Sequence, residues 1–128
     1  MKRDMDLVRE ILLTTEASGE SPLGWVKLEF ENWPLKEVSY HVVLLAEARM
    51  IEMQDLCNMG PDGYDYKPKR LTWYGHEFLD TIRDDDIWQK TRAGAEKVGG
   101  ISIELFAALA KGLVKQKVKK HTGVDLEF

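Results

Sequence analysis

Arg70 to Asp86 reads RLTWYGHEFLDTIRDDD, and this stretch decides the fold class. Leu71, Trp73, Phe78, Leu79 and Ile82 supply its apolar positions. Thr72 stands where an extended segment turns into a helix, because a threonine hydroxyl can accept from an N–H of the first turn. Thr72 is therefore expected to cap a helix over roughly 73 to 83, with Phe78 and Leu79 entering the core. Gly75 lies one turn in, where the missing Cβ lets the helix come close to the strand backbone.

Upstream, Pro61-Asp62-Gly63 is a strong turn signal. It lies between IEMQDL (51 to 56) and residues 69 to 73, which should pair antiparallel as a hairpin. Before it, Val38, Val42, Leu45, Ala48 and Ile51 recur at three- and four-residue steps, widened by His41 and Leu44. That spacing predicts a helix over 35 to 50, with Pro34 among its first residues. WVKLEF, Trp25 to Phe30, is expected to form a short strand. Residues 4 to 17 form a first helix in this reading, with Met5, Val8 and Leu12 inward and Asp4 or Asp6 favoured by the helix dipole. Ser18 to Pro22, SGESP, ends it.

Downstream, a helix over 87 to 97 is expected to be capped by Asp86 and stopped by Gly99-Gly100. A last helix over 103 to 120 takes Ser102 as its cap, Ile103, Phe106, Ala110, Leu113 and Val114 as its buried side, and Gly123 as its stop. The fold class is α+β: one domain over 1 to 128, with a core over 1 to 83 and a helical extension over 84 to 128.

With 128 residues, 44% apolar and 31% charged, the chain can bury a core of its own. No stretch reaches the ~18 apolar residues of a membrane span, and MKRDMDLVRE has no apolar leader core. One cysteine, Cys57, makes no internal disulfide, so a reducing cytoplasm and no membrane association are expected. The net charge of −4 means that any surface gripping nucleic acid must be local. Lys111, Lys115, Lys117, Lys119 and Lys120 crowd the last helix, while Asp84, Asp85 and Asp86 form an acidic knot.

Helix, strand, helix, then a hairpin with a polar tip and a further helix resembles a winged-helix domain with two added C-terminal helices. Leu71 to Leu79 is similar to the same corner in many bacterial winged-helix repressors. The resemblance is closer to a bacterial and prophage family called domain of unknown function 2513, carried by MKRDMDLVREIL, YHVVLLAEARMIE and RLTWYGHEFLDTIRDDDIWQKT. It implies a winged-helix-like fold and an association with bacteria and their phages, and carries no known activity or catalytic residue.

Two functions compete on this scaffold. In a DNA-binding accessory or regulatory protein, Lys36, Ser39 and Tyr40 on the helix and Lys67, Lys69 and Arg70 at the base of the wing would meet double-stranded DNA. Glu37, Val43 and Glu47 on the same outward face are poor for that task. The alternative is a protein-interaction module without DNA, suggested by the surplus of Trp25, Trp33, Trp73, Trp88 and several tyrosines. Its partner is another protein or a second copy, paired through the last two helices.

Catalysis is not expected. His76-Glu77 lacks the second histidine of H-E-x-x-H, because position 80 is aspartate. Three consecutive aspartates point different ways on a helix, so no metal is expected there. His41 reads as a core histidine, Cys57 has no neighbouring base, and the glycines fit no phosphate loop, so no cofactor is expected. The lysine-rich last helix could hold an anionic partner, but reads first as a solvated face.

Overall fold

Threonine 72 does what its position implies. Its Oγ1 accepts from the Gly75 N–H at 3.1 Å and donates to the Arg49 carbonyl, while its own N–H donates to the Met50 carbonyl at 2.9 Å. A computed structural model describes residues 1–19, 23–57 and 63–124, and these fall into two compact units that divide between residues 79 and 80. Among the described residues there are five helices and one two-stranded antiparallel hairpin, an α+β arrangement. The Glu20–Pro22 part of the first helix stop and the Pro61-Asp62 turn lie outside the described residues.

In the first unit, α1 (Met5–Ala17) is capped by Asp4, whose carboxylate accepts from the N–H groups of Asp6 and Leu7. Leu7, Val8, Ile11 and Leu12 form its buried face. The helix α2 (Leu35–Glu47) buries Val38, Val42 and Leu45, as the periodicity requires. It ends earlier than the expected residue 50. Arg49 takes a left-handed φ of 61°, a conformation that costs a residue with a Cβ roughly 1–2 kcal/mol. That reversal turns Met50, which is fully buried, so that its carbonyl faces Thr72.

Strand β1 (Ile51–Asp55) then pairs with β2 (Tyr66–Leu71), Ile51 opposite Leu71 and Asp55 opposite Tyr66. β2 thus starts before the expected residue 69. The register slips between Glu52 and Met53, and this bulge leaves Lys69 and Arg70 both exposed and puts Pro68 in phase with buried Leu71, while Lys67 is buried as well. α1 packs on α2 and β2, and α2 on both strands.

The expected strand over Trp25–Phe30 does not form. Val26 and Leu28 are buried and Lys27 and Glu29 exposed, so the segment has a strand's alternation. Its tie to β2 is the bond from the Val26 N–H to the Pro68 carbonyl at 2.7 Å. Proline has no N–H to return, so a ladder cannot build from that point.

Helix α3 (Trp73–Ile82) leaves the hairpin through Thr72 and buries Gly75, Phe78, Leu79 and Ile82. A Cβ at Gly75 would stand 2.0 Å from the Met50 carbonyl oxygen, so this position must be glycine for the helix to seat where it does.

In the second unit, α4 (Asp85–Lys97) is capped by Asp84, not by the expected Asp86: the Asp84 carboxylate accepts from the Ile87 N–H at 3.0 Å. Asp85 and Asp86 instead occupy the first turn, where the helix dipole favours negative charge. Gly99 and Gly100, at φ 78° and 106°, end the helix. The last helix, α5 (Ile103–Thr122), is capped by Ser102 onto the Leu105 N–H and closed by Gly123 at φ 75°. α4 and α5 pack through the ring pair Trp88–Phe106, with centroids 5.4 Å apart. Of the expected buried side of α5, Phe106 and Ala110 are buried, and Ile103, Leu113 and Val114 are half-buried.

Candidate functional site

The residues expected to meet DNA separate once the chain folds. Lys36 is exposed at the start of α2, and Lys69 is exposed on β2. Ser39, expected to face outward, is fully buried, and its hydroxyl accepts the Tyr66 N–H at 3.2 Å, tying α2 to β2. Lys67 is 5% exposed and paired with Asp65. Tyr40 is half-buried, with its ring edge-on to His41 at 5.9 Å between centroids. Arg70 is exposed, but its guanidinium forks onto Glu52, Nε to Oε2 at 2.8 Å and Nη2 to Oε1 at 3.0 Å. Two of the six side chains are therefore inside, and a third has its charge matched. Exposed Glu47 adds negative charge to the same helix.

The polar residues that suggested chemistry resolve into structural pairs. His41 is buried: the Asp4 N–H donates to its Nε2 at 2.8 Å, and its Nδ1 lies 2.8 Å from the Glu37 carbonyl. This geometry sets the tautomer with the proton on Nδ1. Asp4 also accepts from the Trp33 indole N–H at 3.0 Å, so one aspartate joins α1, α2 and the segment before α2. His76 is exposed, with Nδ1 3.7 Å from Glu16, and Asp80 pairs with Arg83 at 2.8 Å. Among the described residues no group of three or more His, Cys, Asp or Glu side chains is arranged to hold a metal ion.

Around Cys57, its N–H donates to the Asp55 carboxylate at 2.8 Å, which holds Asp55 below the usual carboxylate range. A hydrogen bond with Cys57, reinforced by the charge of Asp55, pushes the Tyr66 phenol up to about 12. The phenol thereby keeps its proton at neutral pH and is no base for the thiol.

In the second unit a groove of about 250 Å³ lies between α4 and α5, with Ile87 and Leu113 among its walls and Lys90, Lys117 and Lys120 beside it. Two of those cations are already engaged, Lys90 with Asp86 at 3.1 Å and Lys117 with both oxygens of Asp84 at 2.8 Å. The Lys117 ammonium, hydrogen-bonded to Asp84, keeps that carboxyl below its ordinary range, and Asp84 in turn raises Lys117. On the lysine-rich helix Lys117 thus makes a specific ion pair with Asp84, while Lys111 and Lys120 are exposed.

Trp73 is where the surplus of tryptophans reaches the surface. Counted among the apolar positions of the corner, it is 81% exposed, with Tyr74 beside it 42% exposed. The spacing does contain the answer: Gly75, Phe78, Leu79 and Ile82 follow an i, i+3, i+4, i+7 pattern, and Trp73 falls on the opposite side of the helix. The base of Trp73 is the Thr72 cap and the Gly75–Met50 contact, so the indole stands on a backbone with little freedom to fold it inward.

Among the described residues no helix is long and apolar enough to cross a membrane. No solved structure matches the chain. An uncharacterized protein of Haemophilus influenzae is 32% identical over 117 residues, covering 91% of this chain and 98% of the relative. The family described as Hypothetical protein (DUF2513) matches residues 2–102, a stretch that runs from before α1 to the cap of α5. With that match over most of its length, the chain belongs to the DUF2513 family.

Proposed function

We propose that this protein is a non-catalytic protein-interaction module on a winged-helix-like scaffold, with the Trp73–Tyr74 corner as its contact point. The order α2, hairpin, α3 supports the scaffold reading, with the segment around Val26 standing where a first strand would lie. The observation that carries the function is the 81% exposure of Trp73 on a helix end locked by hydrogen bonds. A large aromatic held out on a rigid base loses little entropy on binding, and tryptophan is the residue most enriched where interfaces concentrate their energy.

The competing DNA reading draws on Lys36 and Lys69, both exposed. Against it stand the burial of Ser39 and Lys67 and the pairing of Arg70 with Glu52. Those losses leave few cations for the phosphate contacts from which duplex affinity comes. The bacterial source of the Haemophilus influenzae relative fits either role.

The test is a paired capture from a bacterial lysate, with the wild-type chain and Trp73→Ala as baits. A protein retained by the wild type and lost with Trp73→Ala, while the variant keeps its melting temperature, supports the reading. Identical retention by both baits contradicts it.

A further inference from the structure

His41 is enclosed by the first unit with both ring nitrogens in use. The residue is 0% exposed. The Glu37 carbonyl, 2.8 Å from Nδ1, can only accept, so Nδ1 holds the ring proton. Nε2 keeps its lone pair, and that lone pair accepts the Asp4 N–H at 2.8 Å. The neutral ring therefore satisfies both of its partners. An imidazolium donates from both nitrogens. Its new Nε2–H would face the Asp4 N–H, two donors without an acceptor between them, at a ring sealed from bulk water.

Asp4 spreads the effect of that conflict. Its Oδ1 caps α1 by accepting from Asp6 and Leu7, and its Oδ2 accepts from the Trp33 indole at 3.0 Å. The charged ring is relieved either by Asp4 withdrawing or by its carboxylate turning to the new N–H, and in both cases the cap and indole bonds are given up. Among the described residues, Asp4 and Glu37 are the two hydrogen-bonded to the ring, both through their backbones. Arg3 and Asp6 flank Asp4, and half-buried Glu37 and Tyr40 share the helix of His41. From the strands on which α2 also packs, Glu52 pairs with Arg70, Asp55 accepts from Cys57, and Lys67 pairs with Asp65. We infer that His41 is an acid-operated latch: a second proton on its ring releases Asp4, and with it the N-terminus of α1 and the Trp33 indole, while the hairpin stays folded. This does not depend on the role of Trp73.

The test is a pH titration of the full chain followed by NMR, reading the His41 ring, the Trp33 indole and the backbone amides in the same samples. At neutral pH the ring is expected to carry its proton on Nδ1. On acidification the ring, the Trp33 indole and the Asp6 and Leu7 amides change with one shared midpoint. Hydrogen-exchange protection of those two amides falls about fivefold, as for a lost helix cap, while the ladder amides of β1 and β2 keep theirs. His41→Gln has a donor and an acceptor but takes no proton, and it removes the step at Trp33 and in α1. A ring that takes its second proton with Trp33 and α1 unmoved overturns the inference. So does a step that persists in His41→Gln, which would assign it to a carboxyl group, and so does a ring that stays neutral until the whole chain unfolds. If His41→Gln does not fold, the wild-type titration decides alone: separate midpoints for the ring and the indole overturn the latch.

Discussion

The two compact units are held by different means. In the first, the hairpin and α3 meet backbone to backbone: the Met50 carbonyl receives the Thr72 N–H, the Arg49 carbonyl receives the Thr72 hydroxyl, and Gly75 lies directly against Met50. In the second, α4 and α5 meet through side chains, among them the Trp88–Phe106 ring pair and the ion pair of Lys117 with Asp84. Backbone locks tolerate almost no change of volume, whereas side-chain contacts lose energy in proportion to what is removed. The contrast explains why the first unit can present a rigid exposed tryptophan.

Phe106→Ala sharpens that contrast most. It should cost about 3–5 kcal/mol by emptying the space against Trp88, read as lost amide protection along α5 in hydrogen exchange. Full retention of α5 protection would show that the helix pair is held by something else. Gly75→Ala comes next, at about 3 kcal/mol, because the new methyl collides with a carbonyl that cannot move without breaking the Thr72 bond. Here the loss is expected in β1 amides, measured in the same exchange experiment. Thr72→Val keeps the shape and removes the hydroxyl, for about 1–2 kcal/mol in thermal melts. An unchanged melt would mean that the corner is set by packing alone.

The smallest effect is that of the Asp84–Lys117 pair, which is solvent-facing on both sides. Asp84→Asn keeps a capping oxygen and removes the charge. The folded Asp84 carboxyl lies below its ordinary range, so its stabilising contribution is present above that range and lost as pH falls through the folded value. Lys117 is raised, so its share is present below the ordinary lysine range and lost only as pH rises beyond it. The Asp84→Asn deficit is thus expected at neutral pH and should vanish in acid, as seen by comparing melts across pH. A deficit that persists in acid would show that the loss does not come from the charge of Asp84.

The legibility of the chain divides along the same line. Thr72, Gly75, Phe78, Leu79, Ser102 and Gly123 were readable because each is a local rule, a cap, a close approach or a period, and the structure keeps all six. The strand over 25 to 30 failed for a distant reason: its neighbour presents Pro68, which cannot return a hydrogen bond. Lys67 failed because its side chain is buried and paired with Asp65, although the register puts it on the same side of β2 as exposed Arg70. Ser39 failed because a small hydroxyl can be buried wherever a backbone N–H waits for it, here that of Tyr66. Asp86 was expected as the cap of α4 and Asp84 takes that place, because any of three successive aspartates can serve. Of the candidate site, the wing-base residues Lys69 and Arg70 were correctly placed on the surface, while the exposure of Trp73 required counting the helix phase from Gly75.

The most direct test of the functional account is a salt series of binding to random duplex DNA, read by fluorescence anisotropy. A surface in which Lys67 is buried and Arg70 is paired predicts no measurable binding even at low salt. Binding that weakens steeply with added salt, and whose slope flattens when Lys36 and Lys69 are changed to alanine, would contradict the interaction reading and restore these residues to a DNA-contacting role.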